Sequence, residues 1–187
     1  RMVLEPIYEA DFHDRSYGFR PNRCTMDAVT FLRNRILAPT SRYYWIIEGD
    51  IASYFDTINH RKLLRVLKRR IQDRKLLRLI WQFLRAGVME GKLFRDTTRG
   101  TPQGGIASPA LANGYLHELD RYMEQYTGLS LREKQQRRKR GVANFLYVRY
   151  CDDFVVLCNG TKAQAEAMRQ ELHQFLQADL KLELSLE

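Results

Sequence analysis

The sequence predicts an α+β domain: a small antiparallel sheet with helices packed on one face. Three observations carry that expectation. Short apolar stretches at residues 43–51, 144–150 and 154–158 have the length of strands and no helical period. The longer segments between them repeat their apolar residues at helical spacing. At the end of the chain Leu180, Leu182, Leu184 and Leu186 alternate with Lys181, Glu183, Ser185 and Glu187, the period of a half-buried strand.

Taken in order, Val3, Leu4, Ile7 and Tyr8 mark one face of a first helix with no cap before it. A second helix is predicted over 25–37, stopped before Pro39. Residues 43–51 follow as a buried strand. Residues 61–71 and 74–86 form two basic amphipathic helices, the second ending at Gly87. Residues 88–98 suit a hairpin turning at Glu90-Gly91. Ser108-Pro109 reads as a helix start, serine capping and proline at the first helical position. Leu111, Tyr115, Leu119, Tyr122 and Met123 carry that helix to Gly128. Two strands, 144–150 and 154–158, are joined at Cys151-Asp152-Asp153. Thr161 and Gln164 form a capping box for a last helix, with Ala165, Met168, Leu172, Phe175 and Leu176 on its apolar face. A closing strand is expected from Leu180. The stretch LREKQQRRKRG, residues 131–141, stands apart. It reads as a mobile basic loop, either a solvated charge run or a contact for RNA phosphates. A chain that opens on an uncapped helix and closes on a strand is expected to be a fragment of a larger protein.

Composition narrows the function. Lys and Arg number 31 against 22 Asp and Glu, a formal net charge of +9, which favours a polyanionic partner and nucleic acid above others. With 44% hydrophobic residues and only 5 prolines, the chain is neither disordered nor collagen-like. No apolar run approaches the roughly 20 residues of a membrane span, and no signal peptide is visible, so no membrane partner and an intracellular, non-secreted setting are expected. Cys24, Cys151 and Cys158 form no CxxC pair, and His13, His60, His117 and His173 form no HExxH. A disulfide framework or a zinc site therefore has little support.

Two places hold acid where structure alone would not require it. Asp50 lies near the end of an apolar strand, in IIEGDIASYFD. Asp152 and Asp153 lie at the tip of an apolar hairpin, in YVRYCDDFVVL. Aspartate is common in turns, which accounts for the hairpin tip but poorly for Asp50. If strand and hairpin are neighbours, the three carboxylates make a hard, oxygen-rich site suited to magnesium. Two such ions about 3.5–4 Å apart are the usual arrangement for in-line phosphoryl transfer. By spacing alone, Phe55 reads as a core aromatic and Gln103-Gly104-Gly105 as an ordinary glycine turn. Asp56 reads as a cap or ion-pair partner of the helix after it.

In order along the chain, Asp50-x-x-x-x-Phe55-Asp56, Thr101-Pro102-Gln103-Gly104-Gly105 and Tyr150-Cys151-Asp152-Asp153 resemble the successive palm motifs of reverse transcriptases. SYGFRPNRCTMDAV (16–29) and QGGIASPALANGYLHELD (103–120) narrow the resemblance to the reverse transcriptases encoded by group II introns, also called maturases. It covers essentially the whole chain. The resemblance implies a right-hand polymerase palm over 43–187, with a basic insertion at 129–141, and the rear of the fingers over 1–42. The upstream fingers and the downstream thumb and maturase regions would lie outside the sequence.

The resemblance also implies roles. Asp50 and Asp152 would bind two Mg2+ ions, Asp153 would complete the acidic cluster, and the backbone carbonyl of Ile51 would be a further ligand. Phe55 would lie under the incoming sugar. Gln103, Gly104 and Gly105 would sit by the nascent base pair, and Tyr150 would face the primer end. Arg20 would contact template RNA or anchor its own loop. Arg137, Arg138, Lys139 and Arg140 would contact RNA. The family most often carries alanine where Cys151 stands. The expected activity is RNA-directed DNA synthesis, with an RNA template, a DNA primer and deoxynucleoside triphosphates, in a bacterial cytoplasm or an organelle. Binding the parent intron RNA, splicing it and retromobility are implied beside it. A splicing-only maturase, or a reverse transcriptase of a retron or defence system, is the alternative. A homodimer stays open.

Overall fold

A computed structural model describes residues 1–185 except 87, 91–92, 96–98 and 102–104; residues 88–90 and 93–95 are described by backbone alone. The elements run α1 (Leu4–Glu9), α2 (Thr25–Ile36), β1 (Trp45–Ile51), α3 (Tyr54–Thr57), α4 (His60–Leu67), α5 (Arg74–Arg85), β2 (Val88–Glu90), β3 (Leu93–Arg95), α6 (Ser108–Thr127), α7 (Leu131–Lys139), β4 (Phe145–Tyr150), β5 (Asp153–Cys158), α8 (Lys162–Phe175) and β6 (Leu184–Ser185). The main sheet has the order β4-β5-β1-β6, and its neighbours pair antiparallel. β2 and β3 pair as the hairpin expected over 88–98, whose turn lies outside the described residues.

The four strands are the expected ones, and α1, α2, α4, α5, α6 and α8 fall where the apolar period put them, although α4 ends at Leu67 and not at 71; the short α3 has no such period. Three local expectations are corrected. Residues 131–141 are not a loop. Ser130 accepts from the Glu133 N–H while the Glu133 carboxylate accepts from the Ser130 N–H, a capping box that starts α7. The basic run hid this S-x-x-E signal. Ser108 is not the cap of α6: Ala107 holds that position, and Ser108 is buried in the first turn beside Pro109. Among the described residues the closing strand is two residues long. Leu176–Leu180 first form a π-helical turn, and Lys181 takes a left-handed conformation at φ 57°. Leu180, Leu182 and Leu184 are nonetheless buried, so the alternation belongs to an exit path that reaches β1 only at its end.

The sheet has two unlike faces. Ile47, Ile51, Phe145, Tyr147, Phe154, Val156 and Cys158 point into the main core, built with α1, α4, α5, α6 and α8. On the other face Val148 packs with Tyr17 and Ala28, with Phe31, Leu32 and Tyr150 around them, so α2 covers only the β4 side. Along β1 the residues between the core positions, Ile46, Glu48 and Asp50, are exposed.

Across the first face runs a buried ion pair. Arg149 of β4 and Asp120 of α6 have no exposed side-chain surface and meet at 2.7 Å. Arg149 Nε donates to Asp120 Oδ1 at 2.8 Å, and Nη2 donates to Oδ2 at 2.7 Å. The Tyr147 hydroxyl donates to the same Oδ1 at 2.8 Å. Burial by itself would push the Asp120 carboxyl up, but the Arg149 charge and these hydrogen bonds hold it well below the usual aspartate range.

Asp120→Asn should strand the Arg149 charge and lower unfolding free energy by about 3–5 kcal/mol, read from urea denaturation. In the unaltered protein the folded Asp120 titrates below an unfolded aspartate, so the unfolded chain binds the proton first. The stability it contributes should be fully present above about pH 4 and be lost progressively as pH falls below that. An acid limb equally steep in Asp120→Asn would assign the loss to other carboxylates.

Candidate active site

The three aspartates come to one end of the sheet. β4 and β5 are joined by two residues, Cys151 and Asp152, between the paired residues Tyr150 and Asp153. A connection this short needs positive φ, and Cys151 supplies it at 56°. β1 pairs with β5 up to Gly49 opposite Phe154, and one step further the same register sets Asp50 across from Asp153. Strand alternation turns Tyr150, Asp153 and Asp50 to the face away from the main core. Asp50 and Asp153 are exposed and Asp152 is half-buried. Ile51, beside Asp50, is buried and pairs with Leu184.

The hairpin tip is fastened from beneath. Arg149 Nη1 donates to the Cys151 carbonyl at 2.7 Å and to Asn113 Oδ1 at 3.0 Å. The Asn113 amide donates in turn to the Gly18 carbonyl at 2.7 Å. Gly18 lies so close that a Cβ there would fall 2.4 Å from the Cys151 nitrogen. Tyr17 N–H donates to the Arg149 carbonyl, and Arg149 N–H to that of Arg15, both at 2.9 Å. Three separate stretches, 16–20, 113–120 and 149–153, thus meet under one turn. Arg149, Asp120 and Asn113 were not singled out from sequence. The available signal was an arginine inside the apolar strand FLYVRY, which must find a buried partner.

The carboxylates feel one another. Burial, then the charge of Asp50, push the Asp152 carboxyl above its ordinary value, while its own backbone N–H and Arg149 oppose the shift. Burial, Asp152 and Asp50 do the same to Asp153. Burial and Asp152 push the Cys151 thiol up to about 11, so it stays protonated near neutrality. Among the described residues none of the three aspartates is in an ion pair. Among them, too, no three His, Cys, Asp or Glu side chains are gathered tightly enough to hold a metal by themselves. The acids form an open set and not a closed cage. That suits Mg2+, which commonly takes one or two carboxylates and completes its shell with water and substrate phosphates.

Phe55, in α3 after β1, is half-buried. Its ring meets Tyr54 at 5.6 Å and the exposed Phe19 at 6.0 Å between centroids. Its carbonyl accepts from Thr101 N–H at 2.7 Å, and Gly100 N–H donates to Ile58 at 2.8 Å. Gly100 is at φ +85°, and a Cβ there would meet the Phe55 carbonyl at 3.0 Å. His60 Nε2 hydrogen-bonds the Gly100 carbonyl at 2.5 Å. The chain entering the Gln103 motif is therefore tied to α3 and the residue after it. Gln103 and Gly104 lie outside the described residues. Gly105 is half-buried and its carbonyl accepts from Ser108 N–H at 3.0 Å, at the start of α6.

The basic candidates fall into two groups. Arg20 is buried, and its guanidinium bonds Glu9 Oε1 at 2.6 Å, the His13 carbonyl at 2.7 Å and the Ser16 carbonyl at 2.8 Å. Those are the contacts of a loop anchor. Arg137 donates to the Ala143 carbonyl at 3.1 and 2.8 Å, whereas Arg138, Lys139 and Arg140 are exposed. α7 precedes β4, so this group sits at the opposite end of β4 from Tyr150, about 20 Å away at the usual strand rise.

Comparison with known proteins agrees with this geometry. The sequence profile of the family described as "Reverse transcriptase (RNA-dependent DNA polymerase)" matches residues 1–187. The chain is 40% identical to protein YkfC of Escherichia coli (strain K12), covering all of this chain and 53% of that protein. It is 35% identical to the group II intron-encoded protein LtrA of Lactococcus lactis subsp. cremoris, covering all of this chain and 38% of that one. The chain thus spans about half, or less, of these relatives. Apo telomerase from Candida tropicalis superimposes with a TM-score of 0.67 at 11% identity, over 98% of this chain and 34% of that one, a likeness of fold alone. With a palm-like sheet, acids at its open end and a profile match from end to end, the chain belongs to the reverse transcriptase (RNA-dependent DNA polymerase) family.

Proposed function

We propose that the protein containing this chain is an RNA-directed DNA polymerase of a group II intron, which adds deoxynucleotides to a primer 3′-hydroxyl and releases pyrophosphate. One observation carries this: Asp50, Asp152 and Asp153 share an open sheet end with no protein cation paired to them among the described residues. Burial first, then neighbouring aspartate charge, holds the Asp152 and Asp153 carboxyls above their ordinary values, which suits them to an added divalent cation. In this reading residues 43–187 are palm and 1–42 the rear of the fingers.

Asp50 and Asp152, with the Ile51 carbonyl and with Asp153 beside them, would hold Mg2+. When bound, it would supply positive charge to the attacking hydroxyl and the leaving pyrophosphate. The protein's own part is placement. Arg149 and Asn113 fix the turn that presents Asp152, and β1 fixes Asp50 across from Asp153. Tyr150, on the same face, is suited to meet the primer end; the family resemblance would put Gln103, Gly104 and Gly105 by the nascent pair. Phe55, held by Tyr54, Phe19 and the Thr101 bond, is suited to lie under the sugar. Intron RNA binding is the second proposed role, supported by the intron-encoded name of the Lactococcus lactis relative.

Three experiments on the protein from its complete reading frame test these assignments. Asp50→Asn keeps the shape of the side chain and removes a charge, so primer extension with Mg2+ should fall by several orders of magnitude with little change in thermal stability. Near-normal extension would remove Asp50 from the site. Asp152→Ala with Asp153→Ala should abolish extension and leave intron binding and splicing assistance in place; equal loss of both would make the two roles one. Phe55→Val should raise ribonucleotide use relative to deoxynucleotide use by more than tenfold, about 1.4 kcal/mol of lost discrimination. A plain core role would instead slow both substrates together and lower stability by about 1–3 kcal/mol.

A further inference from the structure

The face that carries the aspartates has a second feature at its far end. A cavity of about 560 Å³ opens between the C-terminal end of α2, the segment leading into β1, α7 and the start of β4. Arg15, Arg35, Arg42, Lys134 and Arg138 line it, with Tyr43 among them. Among the described residues no Asp or Glu lines the cavity, and none of the five cations is in an ion pair. Arg15 and Lys134 are half-buried; Arg35, Arg42 and Arg138 form an exposed rim.

The fold holds these charges together against their repulsion. Arg15 and Arg35 lie over the Phe31 ring at 5.5 and 5.2 Å. Lys134 Nζ donates to the Thr127 carbonyl at 3.2 Å. Burial first, then Arg35, push Arg15 down from its ordinary value, and burial, Arg15 and Arg35 do the same to Lys134. Like charges crowded around a cavity without protein acid are relieved by an anion. A lone phosphate would leave most of the five uncompensated, whereas a strand with one charge per nucleotide would match floor and rim together. Lys139 and Arg140, next in sequence after Arg138, are exposed as well.

Leu146 lines the cavity at the end of β4 far from Tyr150, and α2 covers Val148 between the two, so the cavity and the aspartates are separate places on the sheet. Thr40, Ser41 and Asn159 add groups able to hydrogen-bond a 2′-hydroxyl. We infer that this cavity docks the phosphate backbone of a single-stranded RNA at a site separate from the aspartates. The inference rests on the proposed function, in which the protein handles RNA.

The test is RNA binding against salt, by anisotropy of a labelled single-stranded RNA, with the protein from its complete reading frame. Arg15→Gln with Arg35→Gln should make the slope of log K against log salt shallower by about 0.7 for each phosphate left without its cation. Arg35→Gln with Arg42→Gln repeats the test on the rim alone, in case loss of half-buried Arg15 disturbs folding. Arg61→Gln with Arg65→Gln, on α4, removes the same charge away from the cavity and should leave the slope unchanged. Equal flattening by the α4 pair would reduce the effect to net charge and overturn the site. Unchanged slopes in both cavity pairs would overturn it as well. Tripolyphosphate should compete only weakly; its tight binding, abolished in the cavity variants while RNA binding persists, would assign the cavity to a small polyphosphate. Asp50→Asn separates the two proposals, since it should abolish extension and keep the salt slope of the unaltered protein.

Discussion

A guanidinium shut away from water must be neutralised where it stands, and the candidate site depends on how this is done at Arg149. Both partners of the Arg149–Asp120 pair are fully buried, so neither can be removed without leaving a charge in a low-dielectric interior. The pair joins α6 to β4, and the remaining donor of Arg149 reaches the Cys151 carbonyl in the turn before Asp152. Stability and site geometry are therefore fixed by the same side chain. A hydrophobic pair of equal volume could fill the space, but it would offer nothing to hold that carbonyl.

The same double use appears in the surrounding loops. Asn113 faces Arg149 with its oxygen and Gly18 with its amide, so one side chain registers the loop from the first helix against the hairpin. Thr101 and Gly100 bond the chain around Phe55, which couples the loop before the Gln103 motif to the aromatic ring. Segments far apart in sequence are drawn to one end of the sheet by backbone hydrogen bonds together with the buried side chains of Arg149 and Asn113, which leaves the aspartates there free to face outward. Charge is segregated along the same face: acid at the Tyr150 end of β4, and cations with no acid partner among the described residues at the other.

What the sequence by itself determined was periodic or local. The four strands and the helices other than α3 and α7 follow from apolar spacing, the start of α8 from Thr161 and Gln164, and the order of the acidic motifs from simple reading. The capping box at Ser130 was equally local, yet the basic run after it outweighed a signal of two residues, and a helix was read as a loop. Leu180 to Leu184 had the period of a strand, but burial at alternate positions is compatible with any extended path against a core, and only pairing distinguishes a ladder. Tertiary structure decided the rest, because ion pairs and cavities are made by residues whose separation along the chain carries no period. Asp120 lies 29 positions from Arg149, and Arg15 even further from Lys134. Arg20 shows the limit plainly. Its sequence context allowed an RNA contact or a loop anchor, and its bonds to Glu9, His13 and Ser16 exist only once the loop has closed around it.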